Sequence, residues 1–371
     1  MRVAIDAVGN GIGGGGVVLG EIVRSFAENV AENEIVTFVA SGVASKEDSP
    51  KRPFATVDIG GAGSGVGRIV WAIFGAPLFS LRYKVRLFVG VNGIALVNAI
   101  CPAAVFVQQA LPYSPEAMNR CSFRRRFRMR VIKWLTIASV RSARCVWVQT
   151  NSMKEALCRS VPQARAKIAV IAPSAPKFDH EGVEPRAWPR DSKREVLLYV
   201  GNNETYKNLG VICTGMERIE HEAVLCLTVA PPDALRTDER IRYLGRLARE
   251  ELRGAYERAT VVVMPSLVES LGLPLLEAMR MGVAVLAADR PYARDVCGDA
   301  AVYFDPTSSA DFALKADQLL RDETLRTQLI NRGRAIVAAL DVADPYGAMA
   351  REAMALAREA CDPSVRYGTV V

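Results

Sequence analysis

Histidine is nearly absent: 371 residues hold only His180 and His221. That leaves little with which to build a zinc site on several imidazoles, an HExxH protease or a Ser-His-Asp hydrolase. Cysteine occurs eight times but never as a CxxC pair, and most copies sit in apolar runs such as Val224-Leu225-Cys226-Leu227. Reduced core thiols in a cytosolic chain are expected, not a disulfide frame. The opening Met1-Arg2-Val3-Ala4-Ile5-Asp6 puts an acid where a secretory leader needs its apolar stretch. Acid is missing elsewhere: Ala117 to Lys154 holds ten Lys and Arg and no Asp or Glu. The net charge of +7 is therefore local, and the remainder of the chain carries −3. A general nucleic-acid binder would be positive all over, so no nucleic-acid partner is expected.

Leu87 to Tyr113 lacks charge altogether and is long enough to span a bilayer. Asn92-Gly93, Asn98, Pro102, Gln108-Gln109 and Pro112 divide it, however. Leu87–Val91 and Ala103–Val107 are instead expected to be strands of a parallel sheet, continuously apolar because both faces are covered.

The chain is half hydrophobic and 23% charged, enough to bury a core in each of two domains. Strand Arg2–Val8, a glycine loop Gly9–Gly16 and helix Val17–Asn29 open it, followed by strand Ile35–Ala40 and strand-like pieces at 86–91, 103–107 and 145–149. Four prolines between Pro173 and Pro189 suggest a linker. The alternation then restarts with strand Val196–Val200 and continues through helix Leu209–Ile219 and strands Val224–Val229, Arg242–Gly245, Thr260–Met264 and Val283–Ala288. Alternation of this kind predicts an α/β fold with two doubly wound units. We expect a first domain over 1–172, a linker over 173–195, a second domain over 196–345, and a last helix over 346–371 that crosses back to the first domain.

Two segments carry chemistry. Gly9-x-Gly11-x-x-Gly14 lies between a strand and a helix, formally a dinucleotide fingerprint. No acid ends the second strand, Thr37-Phe38-Val39-Ala40-Ser41-Gly42, to hold a nicotinamide ribose. The run Gly13–Gly16 instead suggests bare backbone beside a bulky anion. In the second half, strand Val261–Met264 leads into Pro265-Ser266-Leu267-Val268-Glu269-Ser270-Leu271-Gly272-Leu273-Pro274-Leu275-Leu276-Glu277-Ala278. Pro274 suits a helix start, which puts Glu277 in the first turn and Glu269 in the loop before it. Amides near Leu271–Leu273 would face an anion such as a diphosphate. The two carboxylates would accept hydrogen bonds from sugar or ribose hydroxyls.

This Glu-x7-Glu segment resembles the signature of the family 4 glycosyltransferases, which have the two-domain GT-B fold. Tyr199-Val200-Gly201 with Lys207-Asn208-Leu209, Gly282-Val283-Ala284-Val285 and Phe304-Asp305-Pro306 also resemble family segments. So do Val105–Tyr113 and Val146–Thr150 in the first half. The resemblance implies two Rossmann-like domains facing each other across a cleft. It implies a retaining, metal-independent transfer of sugar from a nucleotide-diphosphate sugar to a glycan or polyprenyl-diphosphate-linked acceptor, with no cofactor. The setting it implies is bacterial surface polysaccharide: O-antigen, capsule or exopolysaccharide. On the residues, it implies that Glu277 binds ribose, Glu269 contacts the transferred sugar and Lys207 neutralises the departing diphosphate. Gly14 and Gly15, Gly201 and Asn202, and Ser270, Leu271, Gly272 and Leu273 would complete the donor site. Two departures stand out. Asn202 and Asn203 lie where many relatives carry an arginine. Gln109 lies where many carry a histidine, and it is the acceptor-side candidate.

Finally, Ser122–Ser142 reads as a helix with Phe123, Phe127, Val131, Trp134 and Ala138 along one stripe. Arg124, Arg125, Arg126 and Arg128 are candidates for contact with an anionic membrane or a lipid-linked phosphate, which would hold a cytoplasmic enzyme on the inner face of the membrane. Two rival functions also fit the sequence. A nicotinamide-dependent oxidoreductase would have no use for Glu269. A non-catalytic nucleotide-sugar-binding protein would bind donor and release nothing.

Overall fold

The structure, a computed structural model, describes residues 2–8, 14–29, 35–40, 54–60, 65–97, 100–173, 176–178, 180–189, 194–231 and 239–360. In the first half the order is β1 (Arg2–Asp6), α1 (Gly14–Asn29), β2 (Ile35–Ala40), β3 (Phe54–Asp58), α2 (Gly65–Val70), α3 (Ala76–Arg82), β4 (Leu87–Gly90) and β5 (Ala103–Val107). There follow α4 (Pro115–Asn119), α5 (Phe123–Ser142), β6 (Cys145–Val148), α6 (Asn151–Ser160) and β7 (Ile168–Val170). The second half runs β8 (Glu195–Tyr199), α7 (Leu209–Met216), β9 (Ala223–Leu227), β10 (Ile241–Tyr243), α8 (Arg249–Arg258), β11 (Val261–Met264), α9 (Leu273–Met281), β12 (Ala284–Ala288), α10 (Pro291–Cys297) and β13 (Ala301–Phe304). It closes with α11 (Ser309–Arg321), α12 (Glu323–Ala343) and α13 (Pro345–Glu359).

Two parallel sheets result, ordered β3-β2-β1-β4-β5-β6-β7 and β10-β9-β8-β11-β12-β13. The uncharged stretch supplies β4 and β5, every residue of which is buried. Among the described residues no helix is long and apolar enough to cross a membrane. In both sheets the strand order reverses beside the first strand, between β1 and β4 and between β8 and β11. Ligands bind open α/β sheets at such reversals, outside the carboxyl ends of the strands.

One unit takes in Met1–Tyr113, Phe127–Pro173 and Asp344–Val371, the other Ser114–Arg126 and Ser174–Ala343. The sequence division at 172 therefore misses a thirteen-residue excursion, 114–126, that groups with the second unit. Residues read as a linker are partly packed: Phe178 lies edge-on to Tyr256, ring centroids 5.9 Å apart, and Arg253 Nη1 donates to its carbonyl at 3.3 Å. The opening helix also starts earlier than expected, so Gly14 and Gly15 are in its first turn, while 9–13 lie outside the described residues.

Helix α5 forms where expected, and the stripe of its largest apolar side chains is not the face that packs. Phe123, Phe127 and Trp134 are exposed, and Met129, Ile132, Leu135, Thr136, Ser139 and Val140 face inward. The reason is polar as well as apolar. Ser139 Oγ accepts from the amide of Ala95 at 2.9 Å, giving a buried loop N–H a partner that an aromatic stripe would not provide.

At the end of β1, Asp6 is buried, its Oδ1 accepting from Val8 N at 2.9 Å and Oδ2 from Trp71 Nε1 at 3.0 Å. Burial raises its pKa to about 6, against the opposing pull of those two hydrogen bonds and of Arg68. Between the unfolded value, 3.8, and about 6 the folded chain holds one proton more than the unfolded chain. Stability from this group is therefore present below pH 4 and falls as pH rises to 6, by about 3 kcal/mol. Denaturant unfolding from pH 4 to 6.5 should show that slope in the wild type and not in Asp6→Asn. Equal slopes would place the titration elsewhere.

Candidate active site

The loops that follow β8 and β11 leave the second sheet at its strand-order reversal. The first begins at Gly201, whose amide donates to Thr228 Oγ1 at 2.9 Å. Beneath it the buried Tyr199 hydroxyl donates to the carbonyl of Asn202 at 2.7 Å, leaving the Asn202 side chain exposed. A Cβ at position 201 would stand 2.5 Å from that hydroxyl, so glycine is required by the close approach. The loop then makes a 3-10 turn over Thr205–Lys207, and Asn208 turns left-handed (φ 58°) to start α7. Leu267 N donates to the carbonyl of Tyr206 at 2.9 Å, tying this loop to the one after β11.

That tie brings Lys207 and Glu269 together. Lys207 Nζ donates to Glu269 Oε1 at 2.6 Å, with the side chains 12% and 15% exposed. Burial pulls the lysine pKa down but is outweighed by the charge and hydrogen bond of Glu269, so its pKa stands above the ordinary lysine value. A cation so held stays charged at any working pH.

Gly272 adopts φ 84°, ψ 60° and caps α9, which begins at Leu273 with Pro274 in its first turn. This left-handed cap is open to glycine at little cost and strained for other residues. Because the helix starts at Leu273, Glu277 falls in the second turn, not the first as the sequence suggested. Glu277 is 5% exposed, and its Oε2 accepts from the hydroxyl of Tyr256 on α8 at 2.7 Å. Burial raises its pKa, opposed by the Tyr256 hydrogen bond and by Arg249. Leu271 turns its side chain into the core, so only its backbone can serve a ligand, while Ser270 is half-buried. The start of α9 offers amides with no intrahelical partner, a setting that favours anions.

Several contributors were not legible in the sequence. Arg125, expected to face a membrane, instead pairs with Glu204, and its guanidinium lies 5.6 Å from the Tyr206 ring centroid. Lys207 Nζ lies 5.7 Å from the same ring. Arg120 Nη1 donates to Asn208 Oδ1 at 2.6 Å, and Arg290 pairs with Glu116 at 2.8 Å. The excursion 114–126 thus brings arginine to the Lys207 loop, where Asn202 and Asn203 bring no charge. Arg124 and Arg128 are exposed and Arg126 is half-buried. In the first unit Gln109 follows β5, and its Oε1 is buried with no hydrogen-bond partner among the described residues.

Residues 182–336 match the family described as Glycosyl transferases group 1. O-antigen chain mannosyltransferase B of Escherichia coli is 38% identical over 95 residues, 26% of this chain and 25% of that one. O-antigen chain mannosyltransferase RfbU of Salmonella typhimurium is 23% identical over 208 residues, 52% of this chain and 56% of that one. The chain thus spans less than two thirds of these curated relatives. The solved structure of WaaG, a glycosyltransferase involved in lipopolysaccharide biosynthesis, superposes with a TM-score of 0.70 over 94% of this chain and 98% of that one, at 15% identity. The fold is GT-B, and the second half of the chain carries a group 1 glycosyltransferase domain.

Proposed function

We propose that this chain transfers a sugar, with retention of anomeric configuration, from a nucleotide-diphosphate sugar to a glycan or a polyprenyl-diphosphate-linked acceptor in bacterial surface-polysaccharide synthesis. The observation that carries the proposal is the Lys207–Glu269 pair at 2.6 Å, set at the strand-order reversal between Gly201 and the start of α9. Departure of the nucleotide breaks the bond between the sugar's anomeric carbon and the diphosphate oxygen. Negative charge grows on that oxygen, and Lys207 and the amides before Pro274 are placed to stabilise it. Glu269 has two tasks: one oxygen orients Lys207, and the other is available to a sugar hydroxyl. Glu277 stands deeper, oriented by Tyr256, as the ribose acceptor. The donor phosphate takes the proton of the incoming hydroxyl on the face from which it leaves, which retains configuration. Gly14 and Gly15 complete the donor site and Gln109 serves the acceptor side in this reading, and Arg124 and Arg128 draw the enzyme to the inner face of the cytoplasmic membrane.

Because lysine and backbone amides carry the charge, no metal is needed. A panel of UDP-, GDP-, dTDP- and ADP-sugars, incubated with lipid-extracted acceptor in EDTA, should yield nucleoside diphosphate from one donor at an undiminished rate. Activity lost in EDTA and restored by a divalent cation would contradict this charge assignment.

A further inference from the structure

The helix Gly65–Arg82 is continuous through a π-helical turn at Trp71–Gly75 and presents apolar side chains on both of its faces. Inward, Trp71, Ala72, Ala76 and Phe79 are buried. Outward, Val66 (75% exposed), Val70, Phe74 (62%), Leu78 (65%) and Leu81 (64%) form a second row in water. Ile69 and Ala72 pack with Leu135 and Val131 of α5, so the two helices are neighbours, and α5 adds exposed Phe127 and Trp134. Ten of the thirteen large apolar side chains exposed among the described residues fall between positions 66 and 134. This is a concentration, not the scatter normal on a soluble surface.

Charge identifies the occupant. Between Ile59 and Lys154 the sequence has fourteen Lys and Arg and a single acid, Glu116, while the rest of the chain carries a net −6. Arg82, Lys84 and Arg86 flank one end of the row, and Arg128 and Arg130 stand exposed on α5. A second copy of the chain would bring the same positive surface against this one, which like charge opposes. An anionic lipid surface supplies both the apolar boundary and the opposite charge. From Val66 to Leu81 the row is about 23 Å long at 1.5 Å per residue, and it lies along the surface as an interfacial helix does.

We infer that Val66, Val70, Phe74, Leu78 and Leu81 form a membrane-insertion ridge that seats the first unit in an anionic leaflet, with Trp134 beside it at headgroup depth. This rests on the reading of an enzyme at the inner membrane face and deepens it: the basic residues of α5 attract, and the ridge inserts.

Co-sedimentation with phosphatidylglycerol-containing vesicles tests it, using wild type, the ridge variant Phe74→Ser/Leu78→Gln/Leu81→Gln and the charge variant Arg124→Gln/Arg128→Gln. Wild type should bind at low salt and keep a bound fraction at high salt, with blue-shifted tryptophan emission quenched by bromolipid and absent from Trp134→Phe. The ridge variant should bind at least about tenfold more weakly at both salts. The charge variant should lose binding mainly at low salt, where attraction is unscreened. All should melt alike and be stabilised alike by donor. A ridge variant that binds as wild type does while the charge variant does not would overturn the ridge. So would a wild-type dimer that the ridge substitutions convert to monomer without changing vesicle binding. Vesicle binding without donor stabilisation would instead leave the ridge standing and defeat the proposed transfer.

Discussion

Lys207→Ala should lower sugar transfer by about a hundredfold or more, the scale of losing one preorganised electrostatic group. The loss should lie chiefly in kcat, because the charge Lys207 meets grows as the diphosphate departs. The pair geometry adds a second consequence. Glu269, 15% exposed, loses its hydrogen-bonded cation and is left as a desolvated carboxylate beside the place of the donor's own negative charge. Lys207→Ala should therefore also weaken binding of the free nucleoside diphosphate. Lys207→Arg keeps a cation but not its compact point charge, and should recover part of the rate. Single-turnover measurement with saturating donor separates the two effects. A Lys207→Ala enzyme with wild-type kcat would remove the lysine from the chemistry.

How much of this was readable beforehand differs from element to element, for physical reasons. β4 and β5 were legible because a strand covered on both faces must be apolar throughout, and the breaks at Asn92-Gly93 and Pro102 bound them. The Glu269 to Glu277 segment was legible because Pro274 and Gly272 punctuate it. The helix start was nevertheless placed one residue late, at Pro274 and not Leu273, since the sequence does not say that Gly272 itself takes the left-handed cap. The helix over 65–82 was invisible. Gly65, Gly67, Gly75 and Pro77 have low helix propensity, its outward face is as apolar as its inward one, and the π turn shifts the period midway. Helix α5 carries its largest apolar side chains at helical spacing, yet they are not the face that packs. The face that packs is chosen by Ser139 and its bond to the loop at Ala95, a long-range partner that periodicity does not contain. Arg125 shows the same limit. Its run of arginines reads as one surface, yet the second arginine of the run belongs to the Lys207 loop through Glu204 and Tyr206.

The division of labour between the two glutamates is the centre of the account. Glu277 is buried with one oxygen occupied by Tyr256, so it can offer its other oxygen to ribose in any nucleotide, with or without a sugar attached. Glu269 faces Lys207 and would meet only the sugar. Glu277→Ala should weaken bare nucleoside diphosphate by roughly 10- to 150-fold, the equivalent of about 1.5–3 kcal/mol for a hydrogen bond to a charged group. Glu277→Gln, which still accepts from Tyr256, controls for folding. Glu269→Ala releases Lys207 from its partner and should bind bare nucleoside diphosphate as tightly as wild type or more so, while turnover falls. Calorimetric titration of the preferred nucleoside diphosphate into wild type, Glu269→Ala and Glu277→Ala measures this directly. The expected affinities run in the order Glu269→Ala equal to or above wild type, and both far above Glu277→Ala. A Glu277→Ala protein that binds as wild type does, or a Glu269→Ala protein weakened as much as Glu277→Ala, would contradict it.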